Sequence, residues 1–96
     1  MTRKHQSLDA TAGLHETKMI ARLLNIALAS GDTTLITRTI GKLLRAHGMS
    51  EVSRKTGLNR RTLYKSFSGE VIPNFDRVIK TLAALEVELV VQPIKG

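Results

Sequence analysis

The chain has no cysteine and no tryptophan, and aromatic residues make up only 3% of it. Without cysteine there is no disulfide framework, no thiolate zinc site and no thiol nucleophile. Long apolar stretches are also missing. The longest, at 26–29 and 82–85, are four residues, against the ~20 that a membrane-spanning helix needs. Residues 1–13 are polar and lack the apolar centre of a secretory signal, so a soluble, cytoplasmic protein is expected. Acidic groups are scarce: 8 Asp and Glu stand against 15 Lys and Arg, for a net charge of +7. That excess suggests an anionic partner, nucleic acid or an anionic membrane surface, unless it serves solubility alone. A chain of 96 residues holds one domain and little material for a catalytic cleft.

The pattern along the chain is helical. Residues 1–13 have no apolar period and read as a flexible N-terminal tail; residues 14–96 read as a single domain. From His15, an apolar stripe of Met19, Ile20, Leu23, Leu24, Ala27 and Leu28 recurs at three- and four-residue steps. Gly31 suits a left-handed C-cap and Asp32 an N-cap. The next helix, about 33–47, has Leu35, Ile36, Ile40, Leu43 and Leu44 on its inner face, and Gly48 ends it. A short helix over about 51–56 starts from Ser50. Asn59 caps a helix from Arg60 to about Ser68. Asn74 caps a last helix with Phe75, Val78, Ile79, Leu82 and Leu85 inward. Residues 87–93, β-branched and ended by Pro93, read as a C-terminal strand.

Residues 49–68 have the spacing of a helix-turn-helix core. Val52 is apolar, Ser53 is small where two helices cross, and Gly57 supplies a turn of positive φ. Leu58, Leu63 and Phe67 point inward, which leaves Arg61 and Lys65 outward with Thr62 and Tyr64 beside them. Arg60 lies in the first turn.

Gly48-Met49-Ser50, Ser53-Arg54, Gly57-Leu58-Asn59-Arg60, Leu63-Tyr64-Lys65 and Phe75-Asp76 occur in one order across this stretch. Together they resemble the probable addiction module antidote family, antitoxins with a helix-turn-helix of the lambda-repressor (Xre) type. The resemblance runs over roughly residues 16–93. Ser53 stands where the family has Ala, Ser66-Phe67 where it has Ala-Leu, and Pro73-Asn74 inverts its Asn-Pro. The resemblance implies a mainly α, five-helix lambda-repressor-like domain with a C-terminal β-strand. It also implies a type II antitoxin that represses its own operon and neutralises a RelE/ParE-like toxin.

By the same resemblance, bases are read by the first, second and sixth residues of the recognition helix, here Arg60, Arg61 and Lys65. Three cationic readers favour guanine, whose O6 and N7 accept. Ser50, Asn59, Thr62 and Tyr64 can flank them, and Arg38, Lys42, Arg45, Arg54 and Lys55 can reach phosphate. Residues 38–65 hold eight of the fifteen basic residues and one of the eight acidic ones. That segment therefore carries the whole net charge, and the rest of the chain, with seven of each sign, is neutral. The address of the charge favours double-stranded operator DNA as the partner.

A lone strand needs a partner, so Val87, Leu89, Val90 and Val91 are expected at a homodimer or toxin interface; the alternative is that the segment packs as an extended tail on the chain's own helices. His5, His15 and His47 are scattered, Glu86 and Glu88 form an exposed pair, and no catalytic or phosphate-cradling constellation stands out. No enzyme activity, metal or cofactor is expected. Two other readings stay open: a stand-alone Xre-type or phage-type regulator without a toxin, and a toxin-capping protein with little DNA binding.

Overall fold

A computed structural model of the chain describes the backbone of residues 6–95, with side chains from His15 onward. Residues 1–5 of the expected tail, His5 among them, lie outside the described residues. The described residues form five helices: α1 (Gln6–Ser30), α2 (Thr33–His47), α3 (Met49–Thr56), α4 (Arg60–Ser66) and α5 (Phe75–Ala84).

The turns follow from local chemistry. Gly31 takes φ 71 after α1, and Asp32 then accepts the Leu35 N–H at 3.1 Å. Asn59 and Asn74 cap α4 and α5 in the same way, accepting from the N–H of Thr62 at 2.8 Å and of Arg77 at 2.7 Å. Each cap satisfies one of the N–H groups that a helix start leaves without an intrahelical partner. Gly57 sits at φ 79 between α3 and α4.

Three helix boundaries differ from the sequence reading. The helical backbone begins at Gln6, well before His15, because residues 6–12 contain no helix breaker and the amphipathic helix behind them extends forward. α3 starts at Met49, with no side-chain cap from Ser50. Gly48 joins α2 to α3 alone: its N–H bonds to Leu44 O and its carbonyl accepts from Val52 N. α4 ends at Ser66, because Phe67 leaves helical geometry at φ −116 and ψ 28 while burying its ring.

Leu44, Val52, Leu63, Phe67 and Leu85 are the centre of the core, each at most 1% exposed. Ile20 and Leu24 of α1, Ile40 and Leu43 of α2, Met49, and Leu82 and Ala84 of α5 surround them. Truncating a ring buried like that of Phe67 costs ~3–5 kcal/mol.

The inner faces are narrower than the apolar stripes suggested. Among the described side chains of α1, Ile20, Leu24 and Ala27 are buried; Met19, Leu23 and Leu28 are exposed, as is Ile26. On α2, Leu35 is exposed and Thr37 and Gly41 are buried. On α5, Phe75 and Ile79 are exposed while Thr81 and Ala84 are buried. In each case the helix packs on too few neighbours to cover its whole apolar arc, and small residues occupy the line of closest approach.

The expected strand at 87–93 does not form. The chain turns at Glu86, with φ 65, and Val87 donates to Leu82 O at 3.0 Å. Beyond Val87 the described residues run without regular structure, and none of their backbone groups is hydrogen-bonded. A strand exists only as part of a ladder, and no second extended segment is present among the described residues.

Of the described glycines, Gly41 has the closest neighbour. A Cβ there would strike the Phe67 carbonyl oxygen, a backbone atom that cannot swing away. Gly41→Ala is expected to lower stability by ~1–3 kcal/mol through overpacking. Gly57→Ala meets no neighbour and loses only the ~1 kcal/mol tied to its positive φ. Urea unfolding of both variants checks this, and an unchanged midpoint for Gly41→Ala would contradict the close contact.

Candidate nucleic-acid interface

α3, the Gly57 turn and α4 form a helix–turn–helix unit in the geometric sense. Ser53 of α3 faces the turn between its halves. Its hydroxyl donates to Leu58 O at 2.6 Å, so the small side chain both permits the approach and closes the turn. Thr56 closes the turn from the other side: its Oγ1 donates to Val52 O at 2.8 Å and accepts from Leu58 N at 3.1 Å.

α4 is held by Leu63 and Phe67, 0% and 1% exposed. That fixed inner face leaves Arg60, Arg61, Tyr64 and Lys65 outward, all exposed. Arg60 reaches back to α3, where its Nη1 donates to Ser50 Oγ at 3.4 Å. Ser50 therefore orients an arginine instead of capping a helix. Thr62 is half-buried, and the Asn59 carboxamide oxygen is committed to its cap, which leaves the amide NH₂ as the donor end.

α2 runs beside the end of α4. Gly41 touches the Phe67 backbone, and the Arg38 side chain lies over Gly69. Arg38, Lys42 and Arg45 follow at four- and three-residue steps around the same arc of α2, and all three are exposed. α2 thus meets the chain just past the C-terminal end of α4, and each of the two helices carries its own exposed cations.

Arg54 and Lys55 differ from the rest. Glu51 holds Arg54 through a pair of hydrogen bonds at 2.6 and 3.3 Å. Lys55 lies 3.6 Å from Glu51 and 3.5 Å from Glu86. Arg38, Lys42, Arg45, Arg60, Arg61 and Lys65 have no carboxylate partner among the described residues. The field of the face comes from these six, while Arg54 and Lys55 are partly neutralised.

The expected interface residues of the C-terminal segment are split. Val87 is half-buried against the core, whereas Leu89, Val90 and Val91 are exposed at 39, 78 and 95%. Leu89 and Val90 run past α1, lining a groove with Leu24, Leu28 and Leu82.

Two features escaped the sequence reading. Arg77 of α5 donates from Nη1 to Ser66 Oγ at 3.0 Å, which ties α5 to the end of α4. His47 Nδ1 lies 3.4 Å from Glu16 Oε2, within ion-pair reach but without a hydrogen bond. Neither pair leaves a local signal, since the partners are far apart in the chain. Among the described residues no group of His, Asp and Glu is arranged to hold a metal ion, and no helix is long and apolar enough to cross a membrane.

The fold and this surface define a small all-helical protein with a cationic face built on a helix–turn–helix unit. The model of the family described as "probable addiction module antidote protein" matches residues 4–93, and the chain belongs to that family. It is also 34% identical over 92 residues to an uncharacterized protein of Haemophilus influenzae, covering 96% of this chain and 95% of the other. No solved structure matches it. The family places the chain as the antidote of a toxin–antidote module.

The hydrogen bond from Arg54 is the largest influence on Glu51, with the charges of Arg54 and Lys55 adding to it, and its carboxyl titrates below the ordinary 4.5. A depressed folded pKa contributes stability above the unfolded value and loses it as pH falls through the folded value. Side-chain NMR titration is expected to give a Glu51 midpoint below 4.5, moved upward by Arg54→Ala. An Arg54→Ala midpoint equal to wild type would contradict the pairing.

Proposed function

We propose that the chain is a sequence-specific DNA-binding antidote. In this reading it acts as a homodimer, lays α4 in the major groove of its own operator and represses its operon by occluding the promoter. It also neutralises a RelE/ParE-like toxin, in the manner of type II antitoxins with an Xre-like helix-turn-helix. The observation that carries the reading is the set of six exposed cations on α2 and α4 that have no carboxylate partner among the described residues.

The roles divide by position. Arg61 and Lys65, one helical turn apart on the outer face of α4, reach base edges, with Arg60 at the start of the helix. Arginine is bidentate toward guanine O6 and N7, so a G-containing half-site fits best. Arg38, Lys42 and Arg45 engage phosphate and set the register of the domain on the duplex. Ser50, Thr62, Asn59 and Tyr64 flank the reading helix. Arg54 and Lys55 contribute less while Glu51 and Glu86 hold them. Two copies related by a two-fold axis would match half-sites about 34 Å apart.

A second reading, toxin capping with little DNA contact, draws on α1. Met19, Leu23 and Ile26 are 45, 40 and 63% exposed and follow one another at helical steps, as a protein-binding face does. Co-purification with a small toxin and no shift of promoter DNA would favour it.

The test is binding to the protein's own promoter across a salt series, where a slope near zero would contradict a phosphate-based interface. Arg61→Ala is expected to cost ~1–3 kcal/mol, roughly 5- to 150-fold, on the operator and to relax specificity at one base pair. Lys42→Ala is expected to weaken binding alike on all sequences and to reduce the salt slope by about 1. Identical behaviour of the two variants would contradict the division into readers and phosphate contacts.

A further inference from the structure

Residues 88–92 carry backbone donors and acceptors with no partner among the described residues, beside side chains that are themselves exposed. We propose that this segment forms a two-stranded antiparallel ladder with the same segment of a second copy, with the two-fold axis at Val90. The proposal deepens the dimeric reading above and rests on it only for the existence of a dimer.

The argument is the self-matching of the sequence. With Val90 opposite Val90, Leu89 faces Val91 and Glu88 faces Gln92, on both sides of the axis. Apolar residues then meet apolar ones, and the carboxylate meets an amide donor. Moving the axis to Val91 sets Val90 against Gln92 and Glu88 against Ile94. Moving it to Leu89 sets Glu88 against Val90, and it draws on Val87, whose N–H already bonds Leu82 O.

Proline fixes the phase. Antiparallel pairs alternate between hydrogen-bonded and non-hydrogen-bonded positions. If the Val90 pair is hydrogen-bonded, so is Glu88 with Gln92. Pro93 then falls opposite Val87 at a non-hydrogen-bonded position, where its missing N–H costs nothing. The Leu89–Val91 pairs take the closer, non-hydrogen-bonded spacing, which suits apolar packing. A strand that binds a different protein has no need to match itself about its own centre, and this one does. The second copy is therefore the occupant.

A residue on a two-fold axis faces its own image, and this gives the test. Val90→Lys and Val90→Glu are made in the full chain, and mass in solution is measured by light scattering and sedimentation. Wild type is expected to be dimeric, each variant alone monomeric, and the equimolar mixture dimeric again. Val90 is 78% exposed, so the helical circular dichroism should be unchanged. Gln92→Pro, which removes a ladder N–H without adding charge, is expected to give a monomer as well, and keeps the test open if a charged variant fails to fold. A dimer that survives Val90→Lys, or a mixture that stays monomeric, would overturn the strand pairing. A monomeric wild type would overturn the dimer too. Operator binding by wild type in the same samples reports on the DNA reading separately.

Discussion

The contact between Gly41 and the Phe67 backbone is the constraint on which the rest of the surface depends. Phe67 is the last inward anchor of α4 and is almost completely buried. Because Gly41 has no side chain, α2 can press directly on the backbone that ends α4. That approach fixes how α2, with its outer row Arg38 to Arg45, stands against the end of α4. A methyl group at position 41 would have to push the two apart. Ser53 plays a similar part within the helix–turn–helix unit, since its size and its bond to Leu58 O set how closely α3 and α4 meet.

Charge is distributed to suit such a face. The segment 38–65 carries the entire net charge, but a formal count treats its cations as equal. Glu51 and Glu86 take up part of the charge of Arg54 and Lys55. The remaining cations of the segment are exposed, with no carboxylate partner among the described residues. Surface ion pairs of this kind add little stability; their larger effect here is to shape where the positive potential lies.

Much of this was legible in the sequence where the cause is local. Asp32, Asn59 and Asn74 announced their caps, and Gly31 and Gly57 their turns, because each feature involves residues only a few positions apart. The outward placement of Arg61 and Lys65 followed from Leu63 and Phe67 on the same short helix. Readings that needed a distant neighbour fared differently. The apolar stripes of α1 and α5 are wider than the surfaces that cover them, so Met19, Leu23, Phe75 and Ile79 were placed inside and lie outside. Gly41 as a contact point, and Ser66 with Arg77, depend on how separate helices pack, which no local pattern shows. Residues 87–93 have the composition of a strand, yet a strand is a property of two segments, and one chain supplies a single segment.

In the proposed reading, DNA sits on the outer faces of α2 and α4. Backbone and side-chain NMR of the full chain, titrated with a duplex from its own promoter, tests this most directly. The expected result is a continuous set of perturbed signals over Arg38, Lys42, Arg45, Ser50, Asn59 to Arg61, Tyr64 and Lys65, with α1 and residues 88–92 unmoved by the duplex. Perturbations centred on Met19, Leu23 and Ile26, or none at any position at low salt, would contradict it.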